Sequence, residues 1–367
     1  MDSVNDPDLI LDDKGVCNHC HNFDNAIAKL PTGNEALHHF KNKIALIKRE
    51  GKEKKYDCII GLSGGVDSTY LCYVAKREGL RPLLVHCDNG WNSELAVKNI
   101  ENIVSKTGFD LYTLVLDWEE IKDIQLSFFK AGVVDLELPY DYALIACGYK
   151  AALEHGIKFV LTGHNVVTEG TYLPKSWRHD KMDVVNISAI HKKFGKVPFK
   201  TFPIYSFWRQ RMIDRKLNYL YLLNYTNYNK AEVKELIKRE LGWRDYGGKH
   251  YENVFTRFYQ GYILKEKFGF DKRQFHLSIL IQAGQITRQQ ALEEFALPGY
   301  NETQLKTDME FVIKKLGFTK QSFEEYMKAP IHRHDEFPTD KGKWDLYFKL
   351  ISTARPFYRL YRRLRSH

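Results

Sequence analysis

Apolar positions along the chain form short continuous runs that alternate with longer amphipathic stretches. The runs are rich in Ile, Leu and Val, which is typical of strands covered on both faces of a parallel sheet. The predicted strands lie at residues 58–62, 81–87, 111–116 and 158–161, and the helices between them at residues 67–77, 93–107 and 139–155. This alternation predicts an α/β fold, with a parallel sheet wrapped by helices.

The alternation stops after residue 169. Residues 172–205 are basic and aromatic without a clear period, and we expect a loop region there. Further helices are predicted at residues 33–50 and within 218–241, and at 276–284, 286–292, 303–316 and 320–328, with Thr287 as an N-cap. We therefore predict three parts: an N-terminal segment with a helix at 1–50, an α/β domain at 51–205 and a mainly helical region at 206–367.

The first predicted strand ends in the string SGGVDS, residues 63–68. Gly64 and Gly65 let the backbone approach a ligand closely, and the N–H groups of the following helix favour an anion. Ser63 and Ser68 add hydroxyl donors, and Asp67 is an oxygen ligand suited to Mg²⁺ beside phosphates. No lysine follows the glycines, so this is not a Walker P-loop. The string resembles the PP-loop of the ATP pyrophosphatase superfamily, which grips the β,γ-pyrophosphate of ATP.

Charge is spread unevenly over the 367 residues, whose formal net charge is +9. Residues 170–220 carry eleven Lys or Arg against three Asp, and residues 354–367 carry five Arg and no acid. Such regions suit anionic ligands, either nucleic acid or the diphosphate of a nucleotide sugar. A solvated basic surface is the alternative for the C-terminal run.

Composition places the chain among globular proteins. A hydrophobic content of 44% supports a packed core, and no apolar run approaches the length of a membrane span. The first residues are acidic and polar, so we expect no signal peptide. Six cysteines in a chain of this length do not form a disulfide framework. We therefore expect a cytoplasmic protein.

Polar residues follow three of the predicted strands. Besides the loop at 63–68, Asp88 ends the second strand, and Gly163, His164 and Glu169 follow the fourth. Ligands of parallel sheets bind at the carboxyl ends of strands, where strand order reverses, so these residues are expected to converge. We expect Asp88 to meet the adenosine, and His164 and Glu169 to position phosphate, metal or a carbonyl group. A purely structural Gly-His turn is the alternative.

Cys17 and Cys20 form a Cys-x2-Cys pair, which is half of a structural zinc site. No second Cys-x2-Cys is present, and the remaining four cysteines lie in apolar contexts that predict burial. His19 and His21 are the neighbouring candidates for further ligands. The spacing alone leaves open whether zinc binds.

Residues 247–262, GGKHYENVFTRFYQGY, mix charged and aromatic residues beside paired glycines. One interpretation is a helix start with its aromatic residues in the core. The other places Lys249 and Arg257 on phosphates and Glu252 near the reacting group.

Four motifs together resemble the N-acetyl sugar amidotransferase family of bacterial surface-polysaccharide biosynthesis, from about residue 6 to at least residue 300. They are DPDLILDDKGVCNHC at 6–20, SGGVDS at 63–68, TGHN at 162–165 and KHYENVFTRFYQGY at 249–262. The last two are long and specific.

The resemblance implies a reaction. ATP with Mg²⁺ activates the acetamido oxygen of a nucleotide-linked N-acetyl sugar as an adenylate, ammonia attacks the imidate carbon, and AMP leaves an acetamidino group behind. The implied catalytic residues are Asp67, Ser68, His164, Glu169 and Glu252. The residues implied to bind ATP are Ser63, Gly64, Gly65, Asp67, Ser68, Asp88 and Gly163. The sugar substrate is implied to be bound by Lys249 and Arg257.

The sequence departs from the family in its zinc motif. Members usually carry a further Cys-x2-Cys just upstream, completing a four-cysteine zinc site with Cys17 and Cys20. We expect either that this start is truncated or that the site is lost, so zinc is expected only in a complete chain.

The ammonia source is the second open point. No cysteine lies on a Gly-x-Cys-x-Gly elbow, and residue 2 is Asp rather than the Cys of an N-terminal glutaminase. Ammonia is therefore expected to be free or to come from a partner. The resemblance suggests a HisH-like glutaminase and leaves open a HisF-like subunit between the two; no nucleic-acid partner is expected.

Two rival functions remain. A tRNA-modifying PP-loop enzyme fits the basic charge, but thiolation needs a reactive cysteine near the ATP crevice, and Cys147 is the only mid-chain candidate. A non-catalytic nucleotide-binding scaffold of a glycan assembly complex is the other. The intact Ser63, Asp67 and Ser68 argue against it.

Overall fold

The computed structural model of the chain describes residues 3–170, 173–248, 251–347, 349–350 and 352. The strands are β1 (Cys58–Gly61), β2 (Pro82–Asp88), β3 (Leu111–Val115), β4 (Phe159–Leu161) and β5 (Asn218–Leu220). They form one parallel sheet in the order β3-β2-β1-β4-β5. Chain order reverses between β1 and β4, so a ligand crevice is expected at the carboxyl ends of these two strands.

The sheet is surrounded by helices. Those of the first half are α1 (Asn18–Ile27), α2 (Gly33–Gly51), α3 (Val66–Arg77), α4 (Glu94–Thr107), α5 (Trp118–Ala131), α6 (Leu138–Glu154), α7 (Val166–Glu169) and α8 (Val184–Phe194). Those of the second half are α9 (Phe207–Asp214), α10 (Lys230–Leu241), α11 (Val254–Phe258), α12 (Leu264–Glu266), α13 (Lys272–Gln282), α14 (Arg288–Ala296), α15 (Glu302–Leu316) and α16 (Lys320–Lys328). A π-helical turn, Tyr259–Ile263, joins α11 to α12.

Local sequence explains several helix ends. Ser93 caps α4 by accepting a hydrogen bond from the Ala96 N–H, and Gly108 ends it with a φ of 74°. Thr287 forms a capping box with Gln290 at the start of α14, which confirms the predicted N-cap.

Successive residues of β1 point to opposite faces of the sheet and enter two hydrophobic clusters. Ile60 packs with residues of α2, α3, α4 and α10. Ile59 packs in a larger cluster that also holds Phe128 of α5, Phe255 of α11 and Phe323 of α16. The sheet and the C-terminal helices therefore share a continuous core.

The predicted α/β class, the four predicted strands and most of the predicted helices are confirmed. The loop predicted at 172–205 is wrong in part, because it contains α8. Helices α1, α5 and α9 were missed, and so was β5, whose three residues are too few to show a period. Since β5 pairs with β4, the sheet continues past the boundary predicted at residue 205.

Buried carboxylates on α5 explain how the irregular segment after α8 is held. Glu120 is 3% exposed and accepts backbone N–H bonds from Lys200 at 2.9 Å, Thr201 at 2.9 and 3.0 Å and Phe202 at 2.8 Å. These bonds satisfy the buried Glu120 carboxylate and the buried N–H of Phe202. Part of the loop is thus fixed by a side chain that its own sequence does not contain.

The neighbouring Asp123 binds the same segment. Its Oδ2 accepts bonds from Lys196 N at 2.7 Å, Val197 N at 2.9 Å and His191 Nε2 at 2.9 Å. Burial alone would raise the pKa of Asp123, but these donors outweigh it and lower the pKa. The stabilisation from Asp123 is therefore present above the ordinary pKa of an aspartate and is lost as pH falls through the lowered value.

Across the described parts of the chain, none of the helices has the length and apolar character that crossing a bilayer requires.

Replacing Glu120 tests the loop anchor. Glu120→Ala should lower the free energy of unfolding by about 3 kcal/mol, because the buried Phe202 N–H and two partly buried N–H groups lose their charged acceptor. Urea unfolding measures this change in the free energy of unfolding. Glu119→Ala, exposed on the same helix, should change stability by less than about 0.5 kcal/mol. Equal effects of the two variants would contradict this account.

Candidate active site

The loop at residues 63–68, called the PP-loop below, joins β1 to α3 at the centre of the sheet. Gly64 has a φ of +82°, a left-handed conformation that favours glycine. Gly65 is the N-cap of α3, and no side chain caps that helix start. The first N–H groups of α3 therefore suit an anion.

Two hydroxyl groups line the same turn. The Oγ atoms of Ser63 and Ser68 are 3.3 Å apart, and Ser63 Oγ accepts a bond from Gly65 N at 3.2 Å. The predicted serines therefore lie together beside the helix start, where they can donate to phosphate oxygens.

The Gly64 carbonyl is held by two aromatic side chains from a distant part of the sequence. Trp243 Nε1 and Tyr246 OH each donate to it, both at 2.8 Å. Because the C=O and N–H of a peptide unit point in opposite directions, these bonds orient the Gly65 N–H away from the aromatic wall. The PP-loop conformation thus depends on residues 243–246.

Asp67 lies at the first turn of α3, facing β4 and the segment before α10. Its Oδ1 accepts a hydrogen bond from Tyr228 OH, and Asn165 Nδ2 lies 3.5 Å away. Burial and the Asp67 carboxylate both raise the pKa of Tyr228, so its phenol remains a donor. Asp67 is therefore oriented as a carboxylate acceptor.

Gly163 keeps the end of β4 close to the PP-loop helix. A Cβ at this position would lie 2.9 Å from both Asp67 C and Ser68 N. The predicted glycine therefore permits a backbone contact in this structure.

The loop after β2 pairs with the start of α11. Ser93 N donates to Glu252 O at 3.0 Å, and Val254 N donates to Trp91 O at 2.9 Å. A Cβ placed on Gly65 would lie 3.4 Å from Glu252 Oε1, so this carboxylate reaches the PP-loop. The predicted place of Glu252 near the reacting group stays a prediction.

Asp88 ends β2 on the same side. Its Oδ1 accepts bonds from Gly90 N at 2.9 Å and Asn92 Nδ2 at 3.2 Å. It also lines a cavity of about 420 Å³ between β2, β3 and α4, whose walls include His86, Val97, Ile100 and Thr113. This largely apolar cavity has the size for a planar ring system.

His164 and Glu169 follow β4, and His164 Nδ1 contacts the Glu169 carboxylate. Their side chains are 42% and 25% exposed, so the pair is open to solvent. Thus the structure brings together the PP-loop and the ends of β2 and β4, as the sequence predicted.

Arg257 lies farther away, in a partly buried ion pair. Arg257 Nε and Nη2 donate to the Asp308 carboxylate at 2.6 and 2.9 Å, and Arg257 Nη1 donates to Tyr251 O at 3.3 Å. Arg257 also lines a cavity of about 310 Å³ with Tyr246 and residues of α15. Its predicted contact with phosphate stays a prediction; Lys249 lies outside the described residues.

Cys17 and Cys20 lie at the start of α1 with their Sγ atoms 3.4 Å apart. The neighbouring histidines bind carboxylates instead: His19 Nε2 is 2.5 Å from Asp6, and His21 Nε2 is 2.8 Å from Asp12. Within the described ranges, no three His, Cys, Asp or Glu side chains are grouped to hold a metal. The residues present do not complete a tetrahedral zinc site, and the zinc prediction stays untested.

The residues around the PP-loop fit a nucleotide phosphate with Mg²⁺. A Cβ on Gly64 would lie 2.9 Å from Tyr246 OH, so this tight turn favours glycine. The hydroxyls of Ser63 and Ser68 supply donors, and Asp67 supplies a carboxylate oxygen. One carboxylate suits Mg²⁺, which takes most of its other oxygens from phosphates and water.

Sequence reasoning missed Trp243, Tyr246 and Tyr228. Each binds the PP-loop or Asp67 through one side-chain hydrogen bond between segments more than 150 residues apart. A local pattern carries no information about such a pairing.

Comparisons with known proteins fit this geometry. Residues 252–351 match the family described as LPS biosynthesis protein WbpG-like, C-terminal domain. This matched part of the chain is called the WbpG-like domain below. It begins at Glu252, the residue whose carboxylate approaches Gly65. The predicted resemblance to a PP-loop family of surface-polysaccharide biosynthesis is therefore confirmed.

Two curated relatives match parts of the chain. The chain is 27% identical over 209 residues to tRNA-specific 2-thiouridylase MnmA of Clostridioides difficile, covering 50% of each chain. It is 38% identical over 77 residues to tRNA(Ile)-lysidine synthase of Chlamydia pneumoniae, covering 20% of this chain and 24% of that protein. The chain thus spans half or less of these two relatives.

Solved structures show a weaker likeness. NMN synthetase from Francisella tularensis aligns with a TM-score of 0.39 and 14% identity, covering 77% of this chain and 97% of that one. The NH3-dependent NAD synthetase from Campylobacter jejuni aligns with a TM-score of 0.30 and 14% identity, covering 56% and 93%.

Trp243→Phe tests the aromatic support of the PP-loop. It keeps the buried ring and removes one bond to Gly64 O, so ATP affinity should fall about fivefold, the equivalent of about 1 kcal/mol. Isothermal titration calorimetry measures the affinity for ATP. Trp208→Phe, at a tryptophan that is 66% exposed, is the control and should bind ATP normally. Unchanged affinity in Trp243→Phe would show that the bond does not position the loop.

Proposed function

We propose that this protein is an ATP-dependent amidotransferase that converts an acetamido group of a nucleotide-linked N-acetyl sugar into an acetamidino group. The observation that carries the proposal is the contact between its two halves. Glu252, the first residue of the WbpG-like domain, lies against Gly65 of the PP-loop. A nucleotide phosphate site and a domain of LPS biosynthesis proteins therefore meet at one crevice.

The proposed reaction has two steps. The acetamido oxygen attacks the α-phosphorus of ATP, and pyrophosphate leaves. Ammonia then forms a bond to the imidate carbon, the bond from that carbon to oxygen breaks, and AMP departs with the electron pair. Activation is needed because an amide oxygen is a poor leaving group, whereas AMP is a good one.

The residues of the crevice have separate roles in this proposal. Ser63, Ser68 and the N–H groups at the start of α3 bind the β- and γ-phosphates and stabilise the departing pyrophosphate. Asp67 would hold Mg²⁺, which neutralises phosphate charge when bound. The adenosine enters the cavity beside Asp88, while His164, Glu169 and Glu252 face the reacting groups.

The ammonia supply is proposed to be a separate HisH-like glutaminase, with a HisF-like subunit bridging the two. Cys58, Cys72 and Cys147 are buried, and no cysteine has the sequence context of a glutaminase nucleophile. We further propose that the reaction serves O-antigen synthesis in the cytoplasm.

A tRNA-modifying enzyme is the second candidate, because the curated relatives are tRNA-specific enzymes by name. Thiolation would need a reactive cysteine at the crevice. Cys147 is fully buried, and its Sγ donates to His86 O at 3.7 Å. This burial favours the sugar substrate over thiolation.

Product analysis tests the proposal. The protein is incubated with ATP, Mg²⁺, ammonium chloride and a panel of nucleotide-linked N-acetyl sugars, and AMP, pyrophosphate and the sugar mass are measured. Release that depends on the sugar, with one amide oxygen replaced by NH, is the expected result. Release stimulated by tRNA instead would support the second candidate.

Asp67→Asn should abolish pyrophosphate release while the protein stays folded, because the variant keeps the shape of Asp67 and loses the charge that would hold Mg²⁺. Asp24→Asn, at an exposed position of α1, is the control and should retain full activity. Circular dichroism checks folding. Normal turnover by Asp67→Asn would remove Asp67 from the mechanism.

A further inference from the structure

A group of charged and amide side chains outside the PP-loop has no role in the function described so far. Its members, called the mixed-charge recess, are Glu137, Asp141, Lys181, Gln260 and Lys272. Glu137 is only 8% exposed, whereas Asp141 has a side-chain exposure of 44%. The group therefore includes both buried and solvent-accessible side chains.

The recess lies on the same edge of the sheet as the PP-loop. Helix α6 leads into β4, so its C-terminal end is at the amino edge of the parallel sheet and its N-terminal end is at the carboxyl edge. Trp91, just after β2, donates its Nε1–H to Tyr140 OH of α6 at 2.7 Å, which fixes this placement. Glu137 and Asp141 are part of this helix start.

One segment of the WbpG-like domain connects the two places. The Glu252 carboxylate lies beside Gly65. Farther along the segment, the side chains of Thr256 and Gln260 form hydrogen bonds with the Glu137 carboxylate, and Gln260 Nε2 donates at 2.8 Å. Glu252 and Gln260 are eight residues apart, which at the rise of an α-helix corresponds to about 12 Å. Gln260 belongs to the π-helical turn, a feature often found at functional sites.

Lys181 makes ion pairs, whereas Lys272 only lies within electrostatic range of Glu137, Asp141 and Asp135. Lys181 Nζ lies 2.7 Å from both Asp135 and Asp141. Lys272 is half-buried, and within the described residues its amino group has no hydrogen-bond partner. Glu137 is nearby: burial raises the pKa of Glu137, and the Lys272 cation opposes that rise. A half-buried amine beside a buried carboxylate and a carboxamide can donate to a polar ligand.

We propose that the mixed-charge recess binds the sugar ring of the substrate through its hydroxyl and amide groups. This inference rests on the proposed function. Carboxylates accept from sugar hydroxyls, while the lysines donate to hydroxyl or carbonyl oxygens. A ring held there lies at the same edge of the sheet as the PP-loop, so the recess selects the sugar while the loop binds ATP.

Lys272→Met tests this assignment, because methionine keeps much of the apolar side chain and removes the amino group. Binding is measured by isothermal titration, separately with ATP and with a panel that includes UDP-N-acetylglucosamine and UDP-N-acetylgalactosamine. The expected result is a tenfold to hundredfold loss of affinity for the sugar nucleotide, with ATP affinity and the urea midpoint unchanged. Lys265→Met, at an exposed position, is the control.

The outcomes separate this inference from the proposed function. If the wild-type protein binds a sugar nucleotide and Lys272→Met binds it equally well, the recess assignment is wrong and the proposed function stands. An equal loss of ATP affinity, or a lower urea midpoint, would also overturn the assignment. If no sugar nucleotide binds or stimulates pyrophosphate release, both are contradicted.

Discussion

The Gly64 carbonyl is the point on which the site depends. It accepts hydrogen bonds from Trp243 and Tyr246, which lie just before the WbpG-like domain. A glycine turn is flexible when unsupported, and these bonds select one orientation of its peptide unit. The backbone pairing of residues 91–93 with 252–254 then places Glu252 beside the same loop. The phosphate site is consequently complete only when both halves of the chain are folded together.

The parts of the fold that sequence predicted are those encoded by neighbouring residues. The run around Ile59 and Ile60 and the glycines after it predicted β1 and the PP-loop correctly, since strand burial and turn geometry are local properties. The segment at 172–205 could not be predicted in this way. Its order comes from Glu120 and Asp123 on another helix, and a carboxylate on an amphipathic helix gives no sign that it will be buried.

The same distinction applies to the site. Parallel strands bring their carboxyl ends to one edge, so the convergence of Ser63, Asp88 and His164 followed from chain order alone. Tyr228 and Trp243 come from segments whose position depends on tertiary packing. The sequence context of Arg257 suggested a phosphate ligand; the structure adds an ion pair with Asp308, and the phosphate contact stays a prediction.

The central claim is that the acetamido oxygen of the sugar attacks ATP at the PP-loop. Its most direct test uses a nucleotide-linked N-acetyl sugar whose acetamido carbonyl carries a heavy oxygen isotope. After reaction with ATP, Mg²⁺ and ammonia, mass spectrometry of the AMP should find the heavy oxygen in its phosphate. AMP without the label, formed alongside an amidino sugar, would contradict an adenylated intermediate.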